Sequence, residues 1–415
     1  MSAAPAKDTH AAQPTLTHSG PPTFDDVKRV LNRTVLSPLA LVGIPLLGYL
    51  AERRASALPF GDAANWPFPT LELLRALAAA HPRLYKLWLL VLLRTFSHTA
   101  TRYVRNLGVY GRQRPDWRKE VVVITGGAAG IGKATVEILS HKKRASIAVL
   151  DMAPPQYARA PPGAPEILYF KTDVTDRESV KKAADAIRAK YGEPTILMNC
   201  AGIAQGSLIL NAEMKSIERT WRINTLANWI TAQEFLPAMV KKNRGHIMTV
   251  ASSASYMSLP QMAEYATSKS AALSFHEVLS AELLARYNAP AIRTSVCCPT
   301  KVRTALGDGM EDHPDPFFTP NLMPVQVGQA IVDVFDSGLS QYVIMPEIMR
   351  ILPWMRAVPD WMRRLVNLIA NTDNQVTDKS MNRALKNGYG ADWDGEAKEL
   401  RQKVVDRLQR ESGGK

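Results

Sequence analysis

The chain has 415 residues, 46% of them hydrophobic, enough for one large domain or two ordinary ones. Its net charge is +13, and much of the excess lies in residues 1–119, which hold 16 Lys and Arg against 7 Asp and Glu. A basic segment of this kind suits anionic lipid or nucleic acid, but no zinc spacing, basic zipper or RNA-binding signature accompanies it, which argues against nucleic acid. Three cysteines, Cys200, Cys297 and Cys298, make no C-x-x-C pair and cannot close a disulfide framework, so a reducing compartment fits and no metal site is expected.

Residues 1–33 read as a disordered polar tail, Pro-rich over 1–23, without the charged start and apolar core of a secretory signal. Residues 34–117 read as a membrane-associating region. The run "TVLSPLALVGIPLLGYLA" (34–51) carries no charge and is flanked by Arg33 and by Glu52, Arg53 and Arg54. It is at the short end of what spans a bilayer, and Pro38, Pro45 and two glycines spoil a straight helix; it could span, dip in and return, or lie in the interface. A second run, "LWLLVLL" (87–93), lies between Lys86 and Arg94 and is too short to span.

From about residue 118 to 346 strands and helices alternate. "VVVIT" (121–125), "SIAVLD" (146–151), "ILYFKTD" (167–173), "TILMNCAG" (195–202), "GHIMTVAS" (245–252), "AIRTSVCC" (291–298) and "QYVIM" (341–345) are strand-like. Helical patterns fill 176–191, 213–241 and 263–286. This order argues for right-handed βαβ units and a parallel sheet. The connection 152–165 holds five prolines and reads as irregular. After the last strand, residues 347–370 carry an apolar stripe with Trp354 and Trp361, four arginines, and breaks at Pro353 and Pro359. They read as an interfacial segment that gates a lipid-facing pocket, or alternatively as a dimer contact or core packing. The end of the chain, "EAKELRQKVVDRLQRESGGK", reads as a solvated charged helix.

Three features carry chemistry. The first strand runs into "TGGAAGIG" (125–132), where Gly126, Gly130 and Gly132 mark a strand-to-helix turn. Such a turn lets backbone approach a pyrophosphate, which the free N–H groups and dipole of the helix N-terminus then favour. Asp151 ends the second strand, 19 residues after Gly132, where an acid hydrogen-bonds the adenosine ribose 2′-OH and repels a 2′-phosphate; this favours NAD over NADP. Finally, "AEYATSKSAAL" (263–273) sets Tyr265 and Lys269 one helical turn apart on one face. A phenol beside an ammonium is expected to ionise more easily than its usual value near 10.

With these motifs, residues 118–346 resemble the short-chain dehydrogenase/reductase family, whose T-G-x-x-x-G-x-G pattern matches Thr125, Gly126, Gly130, Ile131 and Gly132. The resemblance implies a Rossmann-type doubly wound parallel sheet of about seven strands. It also implies cofactor contacts. Asp173 and Val174 would cap the adenine edge. "NCAG" would supply Asn199, Ala201 and Gly202, with Cys200 in place of the family's second Asn. "PTKVRT" would supply Pro299, Val302 and Thr304, with Thr300 replacing the usual Gly. The catalytic set it implies is Asn224, Ser252, Tyr265 and Lys269, with Ser253 a neighbouring alternative to Ser252. Tyr265 would move the proton, Lys269 would bind the nicotinamide ribose, Ser252 would hold the substrate oxygen, and Asn224 would hold a water that relays protons to Lys269.

The fold gives the reaction and the loops give the substrate. Residues 305–324, rich in Gly, Asp and Pro, read as a mobile lid. The expected activity is NAD(P)-dependent interconversion of a lipophilic alcohol and its ketone or aldehyde, on a retinoid, steroid, long-chain or isoprenoid substrate. Within the family the chain looks most like the membrane-bound retinol and 17β-hydroxysteroid dehydrogenase-like members. The expected setting is a membrane surface of the endoplasmic reticulum or a lipid droplet, with the catalytic domain facing the cytosol, and a homodimer is possible. Two alternatives stand: an NADPH-dependent biosynthetic ketone reductase, and a non-catalytic nucleotide-binding membrane or lipid-droplet protein.

Overall fold

A computed structural model describes residues 22–56, 75, 78–109, 111–313 and 315–386. The first 21 residues and the charged C-terminal stretch after 386 lie outside the described residues.

Seven parallel strands form one sheet: β1 Val121–Thr125, β2 Ser146–Asp151, β3 Ile167–Lys171, β4 Ile196–Asn199, β5 His246–Val250, β6 Arg293–Pro299 and β7 Tyr342–Met345, in the order β3-β2-β1-β4-β5-β6-β7. β1, β4, β5 and β6 are buried along their length because helices cover both faces. Alternate residues point to opposite faces. Val121, Val123 and Leu197 pack under Val180 and Ile187, Phe235 and Met239, and Leu279 and Leu283. Val122, Ile124 and Met198 pack under Val136, Ile331 and Phe335 on the other face. The strand order reverses between β1 and β4. That reversal leaves a crevice beyond the strands' C-terminal ends, where ligands bind in open α/β sheets.

The N-terminal third differs from its sequence reading in one place. Phe24–Arg33, grouped above with the polar tail, is helix α1. Its start is a capping box in which Asp26 Oδ2 accepts from both the backbone N–H and the hydroxyl of Thr23, at 2.9 and 2.8 Å. Helix α2 (Ala40–Ser56) includes Pro45 and packs against α3 (Pro82–Arg105) around Ile44, Trp88 and Val91. Trp88 Nε1 donates to Leu41 O at 3.0 Å, and Arg94 donates to Leu36 O and Asn32 Oδ1. The opposite side of this hairpin is apolar and open: Leu39, Leu47, Leu93 and Phe96 are exposed. Among the described residues no helix is long and apolar enough to cross a membrane.

The hairpin is bolted to the sheet. Arg293 on β6, fully buried, donates to Asn106 O and Gly111 O, while Asn106 Oδ1 accepts from Ser340 N at 2.9 Å. At the N-terminal end of α1, the Asp25 carboxylate accepts from Glu347 N, and Lys28 pairs with Glu347 at 3.0 Å. After β7, Glu347–Arg356 winds as a 3₁₀ turn, Pro359 caps the next helix (Asp360–Ile369), and Asp378–Lys386 forms a further one. Pro359 therefore marks a break as its chemistry predicts, whereas the expected break at Pro353 is not there: Pro353 lies inside the 3₁₀ turn.

Candidate active site

Beyond the C-terminal ends of the strands lies a cavity of about 1090 Å³. Its floor begins at the glycine turn before α4 (Gly130–Ile138). Gly126 and Gly130 adopt positive φ, +67° and +55°, which glycine takes without strain. A Cβ on Gly126 would lie 2.7 Å from Ala201 Cα, and one on Gly132 would lie 2.1 Å from Gly126 O. These two glycines thus let backbone pack on backbone, and Gly130 and Ile131 present the turn to the cavity. Thr125 does not reach the cavity. Its Oγ1 accepts from the backbone N–H of Cys200 and of Ala201, at 3.0 and 3.2 Å, and so ties the β4 exit to β1.

Asp151 borders the cavity, and its carboxylate also braces the turn: Oδ2 accepts from Ala128 N at 2.9 Å and Oδ1 from Ala153 N at 3.1 Å. The Pro-rich connection after it folds back, with the Tyr157 hydroxyl donating to Gly127 O at 2.9 Å. Asp173 and Val174 line the cavity beside Asp151, and Asp173 Oδ1 accepts from Thr175 N and Oγ1. Ala201, Gly202, Pro299, Val302 and Thr304 line it as well. Asn199 does not; its Oδ1 accepts from Thr231 in the layer beneath. Cys200, where the family has Asn, is held neutral because burial pushes its thiol up to about 11. Thr300, where the family has Gly, faces the cavity with a buried Oγ1 that has no hydrogen-bond partner in the protein.

The long helix Ala263–Ala285 presents Tyr265 and Lys269. Tyr265 lies beside Ser252, which stands just after β5 and whose Oγ accepts from Ala254 N at 3.1 Å. Lys269 donates to Val250 O at 2.9 Å, with its Nζ 5.9 Å from the centre of the Tyr265 ring. Ser252, Ser253, Tyr265 and Lys269 all line the cavity. Asn224 lies behind them, in a π turn at Arg222–Leu226. Its Oδ1 accepts from Ile203 N, and its Nδ2 donates to Ile203 O and Ser268 Oγ, all within 2.9 Å. Its side chain thus joins two elements directly.

The electrostatics oppose one expectation. Burial pushes the Tyr265 phenol up to about 12, while neighbouring Ser252 pulls it partly back. Burial also lowers Lys269 to about 8. Lys269 does not offset the burial of Tyr265, because its ammonium is turned to Val250 O. Both groups are pushed toward their neutral forms.

Several supporting residues carried no signal in the sequence pattern. Ser255 Oγ donates to Lys269 O at 2.9 Å, and Arg356, about a hundred positions away, donates to Ser255 O at 2.8 Å. Glu264, buried beside Tyr265, accepts from Gln205 N and Gly206 N. Each is specified by tertiary proximity alone. The expected lid is tied down at several points: Arg303 N donates to Leu322 O, Lys301 pairs with Asp312, and Phe24 N donates to Phe317 O.

The cavity fits a dinucleotide: a glycine turn at a helix N-terminus, two carboxylates along one wall, and the unpartnered Thr300 hydroxyl at the other end. Residues 120–315 match the model of the family described as short chain dehydrogenase. The chain is 42% identical over 181 residues to Dehydrogenase RED2 of Cochliobolus heterostrophus, covering 44% of this chain and 67% of that protein. The chain belongs to the short-chain dehydrogenase family. Human estradiol 17-beta-dehydrogenase 11 is 33% identical over 220 residues, 52% of this chain and 71% of that protein. Retinol dehydrogenase 10-B of Danio rerio is 30% identical over 264 residues, 58% of this chain and 78% of that protein. As a short-chain dehydrogenase, the protein is an oxidoreductase that acts on CH–OH groups with a nicotinamide cofactor.

Proposed function

We propose that this dehydrogenase interconverts a lipophilic alcohol and its ketone or aldehyde, using NAD, with Tyr265 as the group that moves the proton. The observation that carries the reading is that Ser252 and Tyr265 face one cavity side by side, at a wall otherwise built from Leu259, Met262, Leu306 and Met310. The substrate oxygen would lie between the two hydroxyls, with hydrocarbon around it. Ser252 favours the charge that develops on that oxygen, and Tyr265 takes or gives the proton. Lys269 and Tyr265 would also reach the nicotinamide ribose. A bound oxidised nicotinamide supplies the hydride acceptor and a positive ring that favours the phenolate. Without such charge Tyr265 stays protonated at neutral pH, which suits it to donate in reduction; oxidation is therefore expected to speed up as pH rises.

Asp151 supports NAD. Its oxygens accept from Ala128 and Ala153, so the carboxylate is held at the end of β2, where it would repel a 2′-phosphate. Asp173, Val174, Ala201, Gly202, Pro299, Val302 and Thr304 would complete the cofactor bed, and Asn199 and Asn224 would support it from beneath. Membrane association rests on exposed side chains: Leu39, Leu93 and Phe96 on the hairpin, and Trp354, Trp361 and Ile369 near Arg363 and Arg364. A surface of the endoplasmic reticulum or a lipid droplet fits a hairpin that lies in the interface.

The test is turnover by detergent-solubilised protein with NAD or NADP and retinoids, sterols, long-chain alcohols and short polar alcohols. The expected result is NAD-dependent oxidation of lipophilic members only. Preference for NADP would overturn the reading of Asp151, and oxidation confined to polar alcohols would overturn the substrate class.

A further inference from the structure

The wall behind Tyr265 comes from the far end of the chain. Val376 and Met381 are buried in one apolar cluster with Tyr265, Leu259 and Met262, against which Leu306 and Met310 pack. Leu259, Met262, Leu306 and Met310 face the cavity, and Met381 backs them from the helix Asp378–Lys386. Its thioether fills two clefts left by glycines. A Cβ on Gly206 would lie 2.5 Å from Met381 Sδ, and one on Gly309 would lie 2.8 Å from the same atom. Gly206 follows β4 and Gly309 belongs to the loop after β6, so one side chain joins both walls.

The helix that carries it is fixed in place. Ser380 Oγ donates to Gly309 O at 2.9 Å. Arg383 Nη2 donates to the carbonyls of Asp308 and Met310, and its Nη1 pairs with Glu311 at 3.1 Å. Met381 is only 4% exposed.

We propose that Met381 determines substrate specificity: it sets the depth of the apolar chamber beside Tyr265, and hence the length of hydrocarbon the substrate carries beyond its carbinol carbon. The proposal rests on Tyr265 being the reaction centre. The cluster is apolar throughout, so the part of the substrate lodged there is a hydrocarbon chain. Methionine is a flexible filler, and removing its thioether opens the back of the chamber, while a phenyl ring closes it.

The test uses the full chain in detergent as wild type, Met381→Ala, Met381→Phe and Met381→Leu. Unbranched secondary alkanols, from hexanol to tetradecanol, are titrated calorimetrically into protein saturated with NADH, so that binding is read without turnover. The tightest-binding length is expected to move longer in Met381→Ala and shorter in Met381→Phe. The ratio of affinities for the longest and shortest members should change by about tenfold in each. Met381→Leu should resemble wild type, and NADH affinity should be unchanged throughout. If Met381→Ala does not fold, the contrast between Phe and Leu decides. An unchanged length profile, equal weakening at every length, or no alkanol binding to any of the four overturns the proposal. Replacing NADH with NAD then tests the reaction separately: a length shift in binding without oxidation of any bound alkanol sinks the dehydrogenase reading of Tyr265, and leaves the role of Met381 in chamber depth standing.

Discussion

Replacing Lys269 with methionine is expected to abolish turnover and stabilise the protein. Burial lowers the lysine from 10.5 to about 8. At neutral pH the folded chain therefore holds its ammonium at a cost of about 3 kcal/mol relative to the unfolded chain. Methionine has similar length and no charge, so Lys269→Met removes that cost. It also leaves Val250 O without the 2.9 Å hydrogen bond, a loss of about 1 kcal/mol. The net expectation is a gain of about 2 kcal/mol at pH 7, measured by urea unfolding in detergent. The pH dependence supplies an independent check. Between about 8 and 10.5 the unfolded lysine keeps its proton while the folded one has lost it. The unfolded state then binds more protons, so the lysine's contribution to wild-type stability rises with pH across this window. The cysteines and tyrosines titrate in both proteins and cancel in the difference, so the gap between mutant and wild type should narrow as pH rises. A mutant less stable than wild type at pH 7, or a gap independent of pH, would refute the reasoning.

Other changes probe the frame of the site. Thr125→Val strips the acceptor from Cys200 N and Ala201 N, and should cost about 2 kcal/mol in urea unfolding and weaken NAD binding in calorimetry; unchanged values would mean that the β4 exit holds itself. Gly132→Ala puts a Cβ 2.1 Å from Gly126 O, a backbone atom that cannot swing away, so NAD binding should be lost; wild-type affinity would contradict the packing described. Substituting Trp354 and Trp361 together with alanine should lower flotation with phosphatidylserine vesicles by about tenfold, with cofactor binding intact; undiminished flotation would remove this segment from the membrane face.

The sheet was legible in the sequence because a strand buried on both faces has to be an unbroken apolar run, as in "VVVIT" and "SIAVLD". The glycine turn was legible because backbone contacts at Gly126 and Gly132 exclude any side chain. Helix α1 was missed although its signal was present: Thr23 and Asp26 have the spacing of a capping box, inside a stretch whose composition is polar. The state of Tyr265 was misjudged because a Y-x-x-x-K spacing fixes which face the two side chains share, but says nothing of burial or of a competing carbonyl at Val250. The partners of Asn224 and the place of Met381 depend on contacts across long sequence separations, which no local pattern encodes.

The most direct test of the proposed reaction compares wild type with Tyr265→Phe, following reduced-nicotinamide absorbance with NAD and the lipophilic alcohols and measuring NAD affinity by calorimetry. The phenylalanine keeps the ring in its apolar cluster and removes only the hydroxyl that meets Ser252. The account predicts unchanged NAD affinity and a fall in turnover of at least about a hundredfold. Turnover by Tyr265→Phe at the wild-type rate would contradict it.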